Sequence, residues 1–283
     1  MTITPQDFDF VRTFVFDQAG IVLENGKQYL VESRLLPIAK ARGYDSLAKL
    51  VNVLKGPDAS LRRQVIEAMT TNETTFFRDV QPFEVLKKHV VPQLMEARKA
   101  TRELKFWYGA SSTGQEPYSV VMMLLESFPE LANWRVTHYA TDINIEVIER
   151  ARAGRYNQVE INRGLPASYL VKYFEKAGTE WQLKPIIRDK VKFEQLNLVK
   201  AWPLLPTFDV IMLRNVMIYF DVEAKRQILS KLNRQLHPDG YLFLGGAETT
   251  MGLVDSFRRM QFEQAGCYCK TDAPGALNAK GAA

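Results

Sequence analysis

Through about residue 71, apolar side chains recur three and four positions apart, the spacing of one helix face. Phe8, Val11, Phe14 and Val15 form the first such face. Thr4 stands ahead of it as N-cap, with Pro5 at the first helical position and Asp7 in the first turn. A second helix is predicted over 26–41 from Tyr29, Leu30, Leu36 and Ile38, closed by Gly43, and Pro37 predicts a kink or break within it. Ser46 heads a third helix through Leu47, Leu50, Val53 and Leu54. Asp58 heads a fourth through Leu61, Val65 and Met69. Helices without strands predict a small helical bundle.

From about residue 80 the pattern changes. Residues 82–99 read as a long amphipathic helix interrupted near Pro92. Short apolar runs at 104–108, 135–141, 191–196, 208–213 and 241–244 then read as strands. Helical patterns at 117–125, 144–153 and 224–236 fall between them. Strands alternating with helices predict an α/β domain, a parallel sheet covered on both faces. Residues 258–270 fit an antiparallel hairpin turning at Ala265-Gly266. The stretch 156–188 breaks the alternation and reads as a small inserted subdomain, partly β over 181–187. The expected division is a helical domain and linker over 1–79, the sheet domain over 80–271, and a frayed tail of small residues over 272–283.

Composition agrees with a globular chain: of 283 residues 46% are hydrophobic and 24% charged. No apolar run approaches the roughly 18 residues of a membrane span, so no membrane insertion is expected. The N-terminus has no basic-then-apolar leader, and Cys267 and Cys269 can supply neither a disulfide framework nor a whole zinc site. A reducing cytoplasm fits best. The net charge of +5 is mild, and no dense basic cluster interleaved with aromatics marks a nucleic-acid surface, so none is expected as a partner. His89, His138 and His237 are scattered and expected at the surface or in loops. The two Cys alternate on a predicted strand, as packing residues of one face would.

Candidate chemistry begins where the first strand ends, at Gly109-Ala110-Ser111-Ser112-Thr113-Gly114-Gln115-Glu116-Pro117. Small residues let backbone approach a ligand closely, and the first strand-to-helix turn is where open α/β sheets bind ligands. Neither the dinucleotide fingerprint nor the P-loop pattern is present. The turn therefore suits a nucleoside cofactor that needs no phosphate cradle, S-adenosyl-L-methionine foremost, although a tight turn with no ligand would look similar. Asp142, at the end of the second strand, can accept from both hydroxyls of a ribose, or simply cap the next helix. The linker Asn72-Glu73-Thr74-Thr75-Phe76-Phe77-Arg78-Asp79 is unusually dense in polar and aromatic groups.

That linker, the Ser112–Ser119 run and Phe208-Asp209-Val210-Ile211 with Arg214-Asn215-Val216, Ile218-Tyr219-Phe220-Asp221 resemble the chemotaxis receptor methyltransferases, the CheR family. The turn Leu236-His237-Pro238-Asp239-Gly240 is similar too, with Asp239 where the family usually has Gly, and Gln115 stands where Glu is usual. The resemblance covers nearly the whole chain. It implies a Rossmann-like methyltransferase domain behind the helical bundle, with a small antiparallel β-subdomain. It also implies methyl transfer from S-adenosyl-L-methionine, yielding S-adenosyl-L-homocysteine, to glutamate side chains of methyl-accepting chemoreceptors. It marks Asn72, Thr74 and Arg78 as cofactor and active-site contacts and Glu116 as partner of the methionine ammonium, with Gln115 the alternative. It marks Asp142 as the ribose acceptor, Asn197 and Leu198 as adenine contacts, Arg214, Asn215 and Val216 as the site floor, and Tyr219 as a residue near the transferred methyl. A monomer is implied.

Two other classes share some of these features. A nucleic-acid amino-methyltransferase would commonly carry Pro-Pro after the fourth strand, where this chain reads Leu196-Asn197-Leu198. A cofactor-binding sensor without catalysis would not need Arg78 and Tyr219. On the second helix, Lys27, Arg34, Lys40 and Arg42 outnumber Glu32, so Arg34, Lys40 and Arg42 are expected to dock the acidic receptor helices. The turn before the second β-strand of the subdomain, Phe174-Glu175-Lys176-Ala177-Gly178-Thr179-Glu180-Trp181, is short and leaves little backbone for a peptide groove, so independence of a receptor C-terminal pentapeptide is expected.

Overall fold

A computed structural model describes residues 2–262 and 265–273; most of the tail lies outside them. The helical domain is α1 (Pro5–Ala19), α2 (Gln28–Ala41), α3 (Leu47–Leu54) and α4 (Ala59–Met69). Thr4, Ser46 and Asp58 cap α1, α3 and α4 through their side-chain oxygens, as their positions predict. Val11, Val15, Val31, Leu35, Leu50 and Leu61 meet in one buried core. Helix α2 runs unbroken through Pro37. Both Pro37 and Ser33 are exposed, so the carbonyl that the missing N–H leaves free faces water.

Two of the expected docking cations are engaged inside the chain. Arg34 donates from Nη1 to the carbonyls of Met69 and Thr70 and from Nη2 to Thr71 Oγ1. Arg42 binds Asp58, Gln64 and Ser60. Charge counting finds cations but not their internal partners; Lys40 stays exposed.

Helices α5 (Val80–Val85) and α6 (Val91–Ala97) are joined by a π-helical turn, Leu86–Val90. The interruption expected near Pro92 is thus a widened turn just ahead of it. Next come β1 (Glu103–Gly109), α7 (Gln115–Ser127), β2 (Arg135–Asp142) and α8 (Ile145–Ala153). The inserted subdomain holds β3 (Arg155–Tyr156), α9 (Gln158–Asn162), α10 (Ala167–Tyr173), β4 (Phe174–Ala177), β5 (Glu180–Leu183) and α11 (Pro185–Arg188). The β segment is shorter than expected, because Pro185 opens a helical turn in which Ile187 is buried. The chain closes with β6 (Val191–Gln195), β7 (Phe208–Leu213), α12 (Val222–Gln235), β8 (Leu236–Leu244), β9 (Phe257–Phe262) and β10 (Ala265–Lys270).

The main sheet has the order β6-β2-β1-β7-β8-β10-β9. Its first five strands pair in parallel, and β10 and β9 extend it antiparallel. The expected hairpin is present, but Ala265 pairs with Phe262 and Gly266 with Gln261, so both lie in β10 instead of in the turn. Phe106, Tyr108, Val210, Met212 and Phe243 bury one sheet face, and Trp107, Ile211, Leu213 and Leu242 the other.

His138 corrects the surface assignment. It is buried in β2, stacked on Phe106, and its Nδ1 lies 2.9 Å from the Tyr108 hydroxyl. Burial pushes its pKa down to about 3, so the ring stays neutral. Cys267 and Cys269 are free and buried against the same face.

The subdomain packs on the linker. Phe76 meets Tyr156 and Phe174 edge-on, Phe77 meets Tyr169, and Arg163 pairs with Glu73 at 2.8 Å. Residues 72–79 are thereby held over the carboxyl ends of the strands.

Candidate functional site

The carboxyl ends of β1, β2, β6 and β7, the linker and the helical domain enclose one cavity. Nearly all the residues singled out from the sequence line it: Asn72, Thr74 and Arg78 from the linker, Glu116 from α7, Asp142 from β2. Asn197 and Leu198 follow β6, and Arg214, Asn215, Val216 and Tyr219 follow β7. Gln115 does not. Its side chain is buried and accepts from Thr113 Oγ1, so of the two neighbours only Glu116 presents a carboxylate to the cavity.

Asp142 is 5% exposed. Its Oδ2 accepts from the Ser112 N–H and its Oδ1 from the Asn144 N–H. Helix α8 is capped by Asn144, not by Asp142. Burial pushes the Asp142 pKa up, against the pull of its backbone donors. Arg214 is almost wholly buried, with Nη1 on Glu116 Oε2 at 2.6 Å and Nη2 on Asp79 Oδ2 at 2.8 Å. Asn197 faces the cavity, but its amide is engaged: Nδ2 donates to the Gln18 carbonyl and Oδ1 accepts from the Val199 N–H. A base at this place would have to be met by other atoms of the segment.

Two buried polar atoms in the cavity wall lack a partner, Ser111 Oγ and Arg214 Nε. Buried polar groups usually find a partner in protein, water or a bound group. Three carboxylates line the cavity, Glu73, Glu116 and Asp142, against two guanidiniums, Arg78 and Arg214, which suits a ligand of net positive charge. Glu116 beside Arg214 offers both signs to a zwitterionic amino acid end. The donors present therefore fit S-adenosyl-L-methionine.

The wall also contains residues that sequence reasoning did not single out. Ala19, Ile21, Met69 and Thr70 come from the helical domain. Val22 donates its N–H to the Tyr219 carbonyl, and Ile21 bridges Phe220. The approach requires Gly20, at φ +71, where a Cβ would stand 2.6 Å from Val199 Cγ1. Among the described residues, five of the six non-glycine positions with positive φ belong to segments that form the cavity: Phe77, Asp79, Ala110, Ser112 and Asn215. Such strained backbone concentrates at ligand sites.

Comparison with known proteins agrees with this geometry. The family model for the CheR methyltransferase all-alpha domain matches residues 6–70, and that for the CheR methyltransferase SAM-binding domain matches residues 72–265. This chain belongs to the CheR methyltransferase family. Chemotaxis protein methyltransferase 1 of Pseudomonas aeruginosa is 42% identical over 265 residues, covering 92% of this chain and 96% of that protein. Chemotaxis protein methyltransferase 1 of Vibrio cholerae is 41% identical over 267 residues, covering 92% and 95%. The chemotaxis protein methyltransferase of Borreliella burgdorferi is 33% identical over 258 residues, covering 89% and 91%. As a CheR methyltransferase the chain is an S-adenosyl-L-methionine-dependent enzyme of chemotaxis, built from an all-α domain and a Rossmann-like domain. Among the described residues no helix is long and apolar enough to cross a membrane.

Proposed function

We propose that the enzyme methylates glutamate side chains of chemoreceptors, forming glutamyl methyl esters. The observation that carries this reading is the cavity itself: Arg78 and Tyr219 flank it, and no histidine lines it. A glutamate with an ordinary pKa of about 4.3 is already a carboxylate near neutral pH and needs no general base. When bound, S-adenosyl-L-methionine supplies a sulfonium-activated methyl group and leaves as the neutral thioether S-adenosyl-L-homocysteine. The task left to the protein is alignment, which can contribute about 7–11 kcal/mol.

Each residue has a part in that alignment. Asp142 takes the ribose hydroxyls, and Glu116 with Arg214 takes the amino acid end. Asn72 and Thr74 close the linker side, Asn197 and Leu198 flank the adenine, and Asn215 and Val216 form the floor. Arg78, half-buried with Nη1 on the Glu73 carbonyl, orients the incoming carboxylate, and the Tyr219 phenol donates to it. A looser contact serves better than a tight ion pair, which would stabilise the ground state and slow the transfer. Lys40, exposed on α2, remains the cation of that helix most open to an acidic receptor helix.

Incubation with radiolabelled cofactor and receptor-bearing membranes tests the reading. Label should enter the receptor and be released by base as methanol. Label in nucleic acid, or none, overturns it. Arg78→Ala and Tyr219→Phe should each lose turnover at an unchanged melting temperature; a wild-type rate in Arg78→Ala removes Arg78 from the active site.

The receptor is reached through the helical domain and the cleft, without a C-terminal pentapeptide tether. The β4 edge is four residues long and turns into β5 through Gly178-Thr179 alone, a short edge for a peptide to extend. Titration with an aromatic-rich pentapeptide should give no heat. Micromolar binding would show that this edge is a docking strand.

A further inference from the structure

Glu248 lies in the loop after β8, outside the cavity wall and 9% exposed. Its carboxylate is surrounded by backbone donors. Oε2 accepts from the N–H of Asn215 at 2.9 Å and of Gly245 at 2.6 Å, and Oε1 accepts from the N–H of Met217 at 2.7 Å. We propose that Glu248 is a positioning residue whose buried carboxylate fixes segment 214–219 in the conformation that presents Arg214, Asn215, Val216 and Tyr219 to the cofactor.

The segment needs such a brace. It leaves β7 with Asn215 at φ +59 and enters a single 3-10 turn, Met217–Tyr219. That path offers no ladder partner to the N–H groups of Asn215 and Met217, and buried N–H groups left unpaired are costly. One carboxylate satisfies both, and the charge strengthens each bond. Gly245 makes the approach possible: a Cβ there would stand 2.7 Å from Glu248 Oε2 and 2.8 Å from Asn215 N. The far end of the segment is pinned separately, by the Val22 N–H on the Tyr219 carbonyl. Glu248 thus acts through backbone, one residue removed from the cofactor. The inference rests on the cofactor reading of the cavity and is independent of which carboxylate is methylated.

The test uses the full-length protein without cofactor and then with S-adenosyl-L-homocysteine. Glu248→Gln keeps the size but turns a donor toward backbone N–H groups. Glu248→Ala removes the carboxylate altogether. In both, amide hydrogen exchange over 214–219 should rise about tenfold or more, while β1 and β2 exchange as in wild type. Calorimetry should show about tenfold or weaker affinity for S-adenosyl-L-homocysteine. At saturating cofactor kcat should fall with the receptor KM unchanged. Wild-type exchange over 214–219 together with wild-type affinity overturns the proposal. So does faster exchange spread evenly over the sheet, which would make Glu248 a residue of overall stability.

Discussion

Asp142→Ala is expected to weaken binding of S-adenosyl-L-homocysteine by about 100-fold or more. A ribose offers two hydroxyls to one ionised acceptor. Each charge-assisted bond contributes about 1.5–3 kcal/mol, and every 1.4 kcal/mol is about tenfold in affinity. The substitution also strips an acceptor from the N–H groups of Ser112 and Asn144, which shape the turn over the site. Because burial holds the Asp142 pKa above its ordinary value, binding by the wild type should weaken on acidification at a higher pH than an exposed aspartate would dictate. The acid must lose its proton to accept from both hydroxyls. Calorimetry on the variant decides: unchanged affinity takes Asp142 out of the site.

The largest loss of stability is expected from Arg98→Met. The Arg98 guanidinium, after α6, donates from Nε to Asp209 Oδ1 at 2.9 Å, and from Nη1 and Nη2 to the two oxygens of Asp239 at 2.8 and 2.6 Å. The Asp209 side chain is 5% exposed and that of Asp239 32%. Removing one partner of a buried ion pair costs about 3–5 kcal/mol, because it leaves charge uncompensated. Solvent at Asp239 puts the expected value near the lower end, about 3 kcal/mol, read from urea unfolding near neutral pH. The Arg98 bonds hold the Asp239 pKa below its ordinary value. The stability this pair supplies is complete above the ordinary aspartate pKa of about 3.9 and is lost as the pH falls through the depressed native value. The gap between wild type and Arg98→Met should therefore narrow in acid. A variant as stable as wild type at neutral pH would show that the cluster contributes nothing. Asp239 is thus half of a clamp joining the end of α6 to the start of β8.

The sheet was legible because apolar runs flanked by turn residues leave few alternatives, and β7 falls on the residues its pattern marks. The cavity residues were legible where motif and strand end coincide, at Asp142, Glu116 and Arg214. What escaped was set by partners distant in sequence. Arg34 and Arg42 read as surface charge, and only the folded chain places Met69, Thr70 and Asp58 against them. His138 sits on a strand whose alternation is masked by burial on both faces, so nothing local marked it as interior. Ala265 and Gly266 look like a turn by composition, yet pairing with Phe262 and Gln261 puts them in a strand. Glu248 belongs to no contiguous motif; the only local hint is an acid among small residues just beyond an apolar strand.

The helical domain's share of the cavity wall, Ala19, Ile21, Met69 and Thr70, ties two equilibria together. A ligand enclosed by both domains binds tightly only while they are docked, so occupancy and docking are thermodynamically linked. At cofactor concentrations about 100 times the Kd, that linkage adds roughly 2.7 kcal/mol to the docked form. The helical domain is in this sense a half-site, and a catalytic domain severed at the linker would keep every motif and lose affinity. High cofactor concentration therefore favours the docked arrangement, with the helical domain and the pocket in fixed register.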